Sequence, residues 1–460
     1  MMKRLATYAK RVNYRRHNFA ANMYSKILIA FVALLAVNNA YSQLKETPPL
    51  TLTEAWRKAE ENSRQIEITR KTSSIANEEI KDARMERLPD IGLLGSIEKA
   101  TNMPIYENGL FSAHTQEHEI IHTLYKAGAD FYLNLYNGNK LNLKIEENKL
   151  LYQITVIQNH DAISAIRYKT ATLYLDLQKT MIFRKLIIKD IADQEKQLLE
   201  IKALQKNGVV LKSDVLRVEL DLSRRKMALV TIENDILIAT QKLNIIMGEP
   251  DDRMIVPTES DQVDQPGLSY ENYLSEAMEH SFSYHISEKK TEVSKVRLNQ
   301  VKANYKPKVG LYSDFSYANP QIFLFPYNPA WYSLGVAGIR VTMPLSQLYQ
   351  NTHKVSAAKL EMEKEEITHK DTEDKVRQGV RAAYLRYKES LVQIDVAEVN
   401  VAHAQENARI IKNTYFNQTS LITDLLDADV QVLQTRFELA AARLMAQNKY
   451  YLLQNITGVL

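Results

Sequence analysis

Cysteine is absent from the 460-residue sequence. Its absence excludes disulfide bonds, thiolate metal sites and a lipid-modified N-terminal cysteine. Glycine and proline are scarce, with 13 and 12 residues respectively. Because these two residues are the main breaks in regular structure, we expect few turns and long elements.

The N-terminal region contains an apolar run of 11 residues, 27–37, which is too short to span a bilayer as a helix. A basic residue precedes the run, and an Ala-Tyr-Ser sequence ending at Ser42 follows it. This order is typical of secretory signals, so residues 1–42 are predicted to be an N-terminal extension and signal peptide cleaved after Ser42. A hydrophobic anchor or core helix is the alternative. The basic residues 1–22 are interpreted as an over-extended start upstream of Met23.

The net charge of the chain depends on this segment. The whole sequence has a formal net charge of +4, and residues 1–42 contain seven Lys or Arg and no acidic residue. Their removal leaves about −3, from +4 minus 7. A nucleic-acid-binding function therefore loses its main support, which would be a basic surface.

Four segments alternate apolar and polar residues with a period of two, near 90–98, 126–136, 308–317 and 331–343. This pattern predicts strands with one apolar and one polar face. One chain cannot close a membrane barrel from four strands, because known membrane barrels start at about eight.

Two long helices are predicted at 140–205 and 349–415. The first has 66 residues without Gly or Pro, and it would extend ~100 Å at the α-helical rise. The apolar stripes of both helices are narrow, with coiled-coil spacing. Because one compact domain cannot bury such helices, we expect several chains to share one strand barrel and one helical barrel.

The two halves of the sequence are alike. At an offset of 210 residues, Asp214 corresponds to Asp424 and Gly248 corresponds to Gly458. A duplicated unit of this length is too long for a solenoid repeat and predicts a pseudo-symmetric fold.

We therefore divide the mature chain into a first structural repeat, residues 43–249, and a second, residues 271–460. The polar, aperiodic residues 250–270 are predicted to link them. In each repeat a tip turn follows the long helix, at 206–212 in the first and 416–422 in the second.

Four motifs occur together in this chain: Leu52-Thr-Glu-Ala, Leu88-Pro89, Gly208 with Asp214-Val-Leu, and Tyr415 with Ser420-Leu-Ile-Thr-Asp424-Leu-Leu-Asp427-Ala428. Through them the chain resembles the TolC-like outer-membrane efflux proteins over essentially its mature length. The last motif is the most specific of the four.

The resemblance implies a mainly α fold with β strands. Three chains would form a 12-stranded outer-membrane β-barrel, four strands per chain, continued by a long periplasmic α-helical barrel. It also implies a passive exit duct of a tripartite efflux or type I secretion system. The partners would be a homotrimer, a periplasmic adaptor, an inner-membrane pump and outer-membrane lipid, and no cofactor or catalytic activity is expected.

By the same resemblance, Asp424 and Asp427 line the periplasmic constriction, where three chains would gather six carboxylates that favour cations. Asp214 is a weaker candidate for this ring. The alternative for Asp214 and Asp424 is a helix N-terminal acid that complements the dipole. Tyr415 matches a gate-linking tyrosine of the family, although it could equally be an ordinary stripe residue.

The tip turns place apolar residues where a helix reverses, and they suggest docking surfaces for an adaptor, with simple capping as the alternative. The candidate docking residues are Gly208, Val209, Val210, Leu211, Thr419, Ser420 and Leu421. Gln418 stands where the family usually has Gly, and Ser420 stands where some members carry an arginine that holds the gate shut.

His118-Glu-Ile-Ile-His122 matches the HExxH pattern of zinc proteases, with His114 one turn earlier. It lies between two predicted strands and lacks a downstream histidine ligand, which favours a solvated loop over metal binding or catalysis. An unlikely zinc metalloprotease and a periplasmic coiled-coil adaptor remain the alternative functions. The aromatic residues 319–331, including Trp331, are predicted to join an interfacial girdle or to narrow the mouth.

Overall fold

The structure is a computed structural model that describes residues 49–106, 109, 115–258, 269–321 and 328–460. The predicted signal peptide lies outside the described residues, as do residues 259–268 of the predicted linker. The chain divides into two compact units. In the described part of the small unit, the Leu50 amide donates to the Val256 carbonyl at 2.8 Å. All elements below belong to the large unit, Thr51–Arg253 and Pro257–Leu460.

The described residues form helices and a small amount of sheet. The helices are α1 (Leu52–Asn62), α2 (Arg64–Met85), α3 (Lys140–Lys206), α4 (Lys212–Met247), α5 (Tyr270–His280), α6 (Phe282–Lys302), α7 (Gln347–Gln350), α8 (Thr352–Phe416) and α9 (Ile422–Thr457). The strands are β1 (Asp90–Lys99), β2 (Met103–Tyr106), β3 (Thr115–His118), β4 (Thr123–Tyr136), β5 (Lys308–Asn319) and β6 (Tyr332–Thr342).

Apart from the β2–β3 hairpin in the first half and the short α7 in the second, both halves have the same order of elements: two shorter helices, strands, a long helix and a helix that returns along it. Helices α1 and α5 each have 11 residues, and α4 and α9 each have 36. The long helices α3 and α8 have 67 and 65 residues. Each packs against the helix that follows it, so the described chain contains two long helical hairpins.

Local capping decides where several helices begin. The Thr51 hydroxyl accepts from the Glu54 amide at 3.2 Å, and the Ser63 hydroxyl accepts from the Ile66 amide at 3.4 Å. Ser63 therefore ends α1 and caps α2. The second long helix begins at Thr352 rather than at the predicted residue 349. Asn351 interrupts it, because its buried side-chain amide donates to the Val301 carbonyl at 2.8 Å.

Strands β1, β4, β5 and β6 form one antiparallel sheet in that order, so β1 and β6 are its edges. Pairing of β4 with β5 joins the two halves of the chain, with Ala129 opposite Phe315. The short hairpin of β2 and β3 is separate from this sheet. Its two four-residue strands were not predicted from the sequence.

The four-stranded sheet has an apolar face and a polar face. The apolar face carries Ile91, Leu93, Ile97, Phe131, Leu133, Leu311, Phe315, Ile339 and Val341. The polar face carries Ser96, Glu98, Lys126, Asp130, Asn134, Asp314 and Arg340. The apolar face is largely exposed, and Leu93 reaches 88% exposure. A soluble monomer rarely exposes such a continuous apolar surface.

No helix among the described residues combines the length and the apolar composition needed to cross a bilayer.

Candidate functional site at the hairpin tips

The two hairpins reverse direction through turns with the same backbone geometry. Gly208 has a φ of 75° and Gln418 a φ of 63°, so both are left-handed. The next amide in each turn donates back to the long helix, from Val209 to the Leu204 carbonyl and from Thr419 to the Thr414 carbonyl, at 2.9 Å in both cases. This arrangement closes a helix C-terminus and is strained for any residue except glycine.

The aspartates after the two turns cap the returning helices. An Asp214 carboxylate oxygen accepts from the Leu211 amide at 3.3 Å, and an Asp424 oxygen accepts from the Leu421 amide at 3.1 Å. The capping alternative for both residues therefore has a geometric basis. A single capping bond leaves the other carboxylate oxygen of Asp424 available.

Asp424 and Asp427 are both exposed and lie one helical turn apart on α9. Asp214, by contrast, is half-buried. Residues three apart on a helix share a face, so the second tip presents two carboxylates to one side. That pairing distinguishes the second tip from the first.

Tyr415 lies in an apolar cluster, the tip cluster, that joins both hairpins. The buried members of the tip cluster are Ile201, Val215, Val218, Tyr415, Ile422 and Leu425. The Tyr415 hydroxyl is buried with no hydrogen-bond partner among the described residues. Burial raises the pKa of this phenol, and the nearby negative charge of Asp214 raises it further. Tyr415 therefore packs in the tip cluster and also lies close enough to Asp214 to interact with its charge.

The tip turns expose three large apolar side chains. Val209 is 41%, Leu211 69% and Leu421 68% exposed. Val210 instead packs against the tip cluster. The Ser420 hydroxyl lies 2.9 Å from the Thr414 hydroxyl, which ties the second turn to its own long helix.

A buried polar network lies on α3, α4 and α9 and was not found from the sequence. Arg225 is 5% exposed and forms ion pairs with Asp190 and Asp221. Asp429 accepts hydrogen bonds from the side-chain amides of Gln194 at 2.9 Å and Gln197 at 3.0 Å. This set of six residues is called the Arg225 network below.

The Arg225 network contains three carboxyl groups and one guanidinium group, so its acidic groups outnumber its basic one. Burial raises the pKa of the Asp190 carboxyl, and the charges of Asp429 and Asp221 add to the rise, while Arg225 opposes it. One Arg225 nitrogen, Nη2, is buried without a partner among the described residues. No motif in the sequence marks this network, because its residues lie on three helices that only packing brings together.

The HExxH segment does not form a helix. His118 ends β3 and His122 lies in a bend before β4. A ring nitrogen of His122, Nδ1, lies 2.9 Å from the Ala100 carbonyl oxygen. In zinc proteases this motif puts both histidines on one helix face, so the zinc-protease interpretation lacks its required geometry. His114 lies outside the described residues, and no group of three potential metal ligands occurs among those described.

Known channels share this fold. The chain superposes on VceC of Vibrio cholerae with a TM-score of 0.71 at 15% identity, covering 88% of this chain and 96% of that one. MtrE of Neisseria gonorrhoeae superposes with a TM-score of 0.70 at 15% identity, covering 89% of this chain and 89% of that one. CmeC of Campylobacter jejuni superposes with a TM-score of 0.69 at 14% identity, covering 89% of this chain and 85% of that one. The fold is therefore that of outer-membrane channels.

Residues 274–459 match the outer membrane efflux protein family. No match was found among curated protein sequences. Over these residues the match confirms the predicted resemblance to the TolC-like outer-membrane efflux proteins. This is a family of outer-membrane channels, which are conduits rather than enzymes. The periplasmic adaptor alternative predicted a single helical hairpin, whereas the structure has two.

Proposed function

We propose that this protein is the outer-membrane exit duct of a tripartite efflux or type I secretion system. It is a passive conduit that is gated at its periplasmic tip. The observation that carries this proposal is the two-faced sheet, apolar on one side and polar on the other, from which two helical hairpins extend. A sheet of this kind suits a barrel wall between lipid and water.

The working form is a trimer. Four strands are too few to close a membrane barrel, and β1 and β6 are the two edge strands of the described sheet. Edge-to-edge pairing of three copies closes 12 strands, from three times four. The same symmetry gives the six long hairpins neighbours along their length, which narrow apolar stripes require.

The gate is the second tip. Three copies of Asp424 and Asp427 place six carboxylates around the threefold axis, and such a ring favours cations over anions. The capping bond of Asp424 holds that side chain at the start of α9. Tyr415 and the half-buried Asp214 lie behind the ring and tie the second hairpin to the first.

The exposed apolar residues of the tips form the docking surface for the adaptor. Val209, Leu211 and Leu421 are large side chains at turns that would otherwise face solvent. The helical hairpin of an adaptor protein offers a complementary apolar stripe. Because the duct itself has no energy source, an inner-membrane pump drives transport.

Cell fractionation with gel electrophoresis tests this function. The protein should be found in outer-membrane fractions and migrate as a trimer that heating converts to a monomer. Recovery as a soluble periplasmic monomer would refute the proposal. Planar bilayers containing the purified trimer should conduct ions, which an adaptor or a protease would not do.

A further inference from the structure

The apolar face of the sheet contains a groove that neither channel conduction nor gating requires. It has a volume of 430 Å³ and is lined by Gly95, Ile97, Tyr125, Ala127, Tyr317 and Trp331, with Ser96 and Lys126 at its border. The groove lies near the ends of the strands that are far from the helices, since β1 enters from α2 and β4 leads to α3.

Small residues create the hollow. Gly95 and Ala127 are paired directly across β1 and β4, so no bulky side chain fills the floor. Walls of the groove are aromatic. The rings of Tyr317 and Trp331 are stacked at 4.8 Å, and Tyr125 lies 5.9 Å from Trp331. Trp331 remains 50% exposed. A trough of this kind, open along the strands, suits a linear hydrocarbon chain.

The outer rim of the groove is basic. Lys99 lies two residues beyond Ile97, on the same face of the sheet. Its ammonium group donates to the hydroxyl of Thr123 at 2.8 Å, a neutral partner that leaves the positive charge in place. Among the described residues, no carboxylate forms an ion pair with Lys99. On β1, Gly95 in the floor is followed on the same face by Ile97 and then by Lys99, so the cationic rim continues directly from the apolar groove.

We propose that this groove binds an anionic, phosphate-bearing lipid of the outer leaflet, which rests on the membrane location in the proposed function. One acyl chain lies over Gly95 and Ala127 against the Tyr317 and Trp331 rings. The lipid phosphate is bound by Lys99. Charge complementarity selects this occupant over a neutral lipid, because a lysine near the membrane surface attracts anionic headgroups.

The tryptophan content makes the site directly observable. The sequence contains two tryptophans, Trp56 and Trp331. Trp56 lies on α1, where its indole donates to the Arg167 carbonyl at 2.8 Å. A Trp56→Phe protein therefore reports on the groove through Trp331 fluorescence alone. Bromine atoms on an acyl chain quench tryptophan only at close range.

The Trp56→Phe trimer is reconstituted in phosphatidylcholine vesicles that contain a small, equal fraction of brominated phosphatidylglycerol or brominated phosphatidylcholine. At low salt the anionic probe should show about fivefold higher apparent affinity in Trp331 quenching. Lys99→Gln should remove this preference, whereas Lys308→Gln, at the opposite end of the sheet, should keep it. Ala127→Leu should reduce quenching by both lipids, and Ala337→Leu, on the same face outside the groove, should not.

Each other outcome has a defined meaning. Equal quenching by both lipids, or a preference that survives Lys99→Gln, overturns the lipid site but leaves the duct intact. Absence of quenching in protein that floats with the vesicles means that protein covers the groove, which also overturns the site. Protein that fails to float with vesicles refutes the proposed function itself. Retention of the heat-sensitive trimer in each variant shows that the substitution has not unfolded the sheet.

Discussion

Gln194 on α3 donates a hydrogen bond of 2.9 Å to Asp429 on α9, although 235 residues separate them. The same carboxylate oxygen also accepts from Gln197 at 3.0 Å. The first and second hairpins are thus joined by buried polar contacts that lie farther from the turns than the tip cluster does. Any movement that separates the hairpins at the tip has to break or bend this connection.

Asp429→Ala should loosen the joint between the hairpins. It leaves two buried amides without an acceptor, which costs about 1–3 kcal/mol. Hydrogen exchange of the α3 and α9 peptides should become faster, and the trimer should dissociate at lower temperature. Asp235→Ala, at an exposed position on α4, is the matched control. Equal protection in the two variants would contradict a linking role for Asp429.

Tyr273 should make the fold sensitive to alkali. Its side chain is 2% exposed, its hydroxyl has no partner among the described residues, and burial raises its pKa to about 12. Below pH 10 the phenol of Tyr273 keeps its proton in both the folded and the unfolded protein, so it adds no pH dependence to the free energy of unfolding. Between pH 10 and about 12 the unfolded state loses its proton first, so the free energy of unfolding falls as pH rises.

Tyr273→Phe should therefore remove part of the stability loss above pH 10. At neutral pH it should stabilise the protein by about 1 kcal/mol, because it deletes an unsatisfied buried hydroxyl. Unfolding temperature measured across this pH range provides the test. Tyr349→Phe, at a tyrosine that is 70% exposed, should change neither quantity, and identical alkaline profiles for the two variants would count against the Tyr273 argument.

The two tips should respond in opposite ways to substitution at the left-handed position. Gln418→Gly relieves a left-handed non-glycine backbone and should stabilise the second tip by about 1 kcal/mol. Gly208→Gln should destabilise the first tip by a similar amount. Apart from the two neighbouring residues in the chain, no described atom lies within 4 Å of the position that a Cβ would take at Gly208, so the cost there comes from the backbone. Hydrogen exchange of the tip amides measures both effects.

Gln393→Gly, at an exposed position inside α8, serves as the control for the tip substitutions. Glycine in a helix interior destabilises by about 1 kcal/mol. A stabilising Gln418→Gly next to a destabilising Gln393→Gly isolates the turn geometry as the cause. Slower hydrogen exchange in both variants would exclude the turn geometry as the cause.

The acid pair of the second tip should set ion preference. Asp424→Asn combined with Asp427→Asn removes the charges while an Asn side-chain oxygen can still cap α9. In planar bilayers with a salt gradient, the reversal potential should move towards the value of an unselective pore, and block by cations should weaken. Asp395→Asn, at an exposed residue farther from the tip on α8, should leave the reversal potential and the cation block unchanged. An unaltered reversal potential in the double variant would remove the acid ring from the gate.

Much of the secondary structure could be anticipated from the sequence. Strands near 90–98 and 308–317 correspond to β1 and β5, and the helix expected at 140–205 corresponds to α3. These elements follow from periodicity, which local neighbours control. The hairpin of β2 and β3 was missed because strands of four residues give too little alternation to detect.

Part of the candidate site could be predicted from the sequence. Asp424 and Asp427 stood out through spacing and motif, and their shared exposed face follows from helical geometry. Packing of Val210 against the tip cluster and the burial of Arg225 between two aspartates could not be foreseen. Those features depend on which helices become neighbours, and residue types alone do not specify this.

The sequence by itself determined the lengths of the long helices, the positions of their turns and the two-faced character of the strands. Each of these depends on residues within one or two turns of each other. The tertiary structure decided that β4 pairs with β5, that Gln194 contacts Asp429, and that Gly95 and Ala127 leave a groove beneath Trp331. Such contacts join distant parts of the chain, and they arise only when helices and strands are packed together.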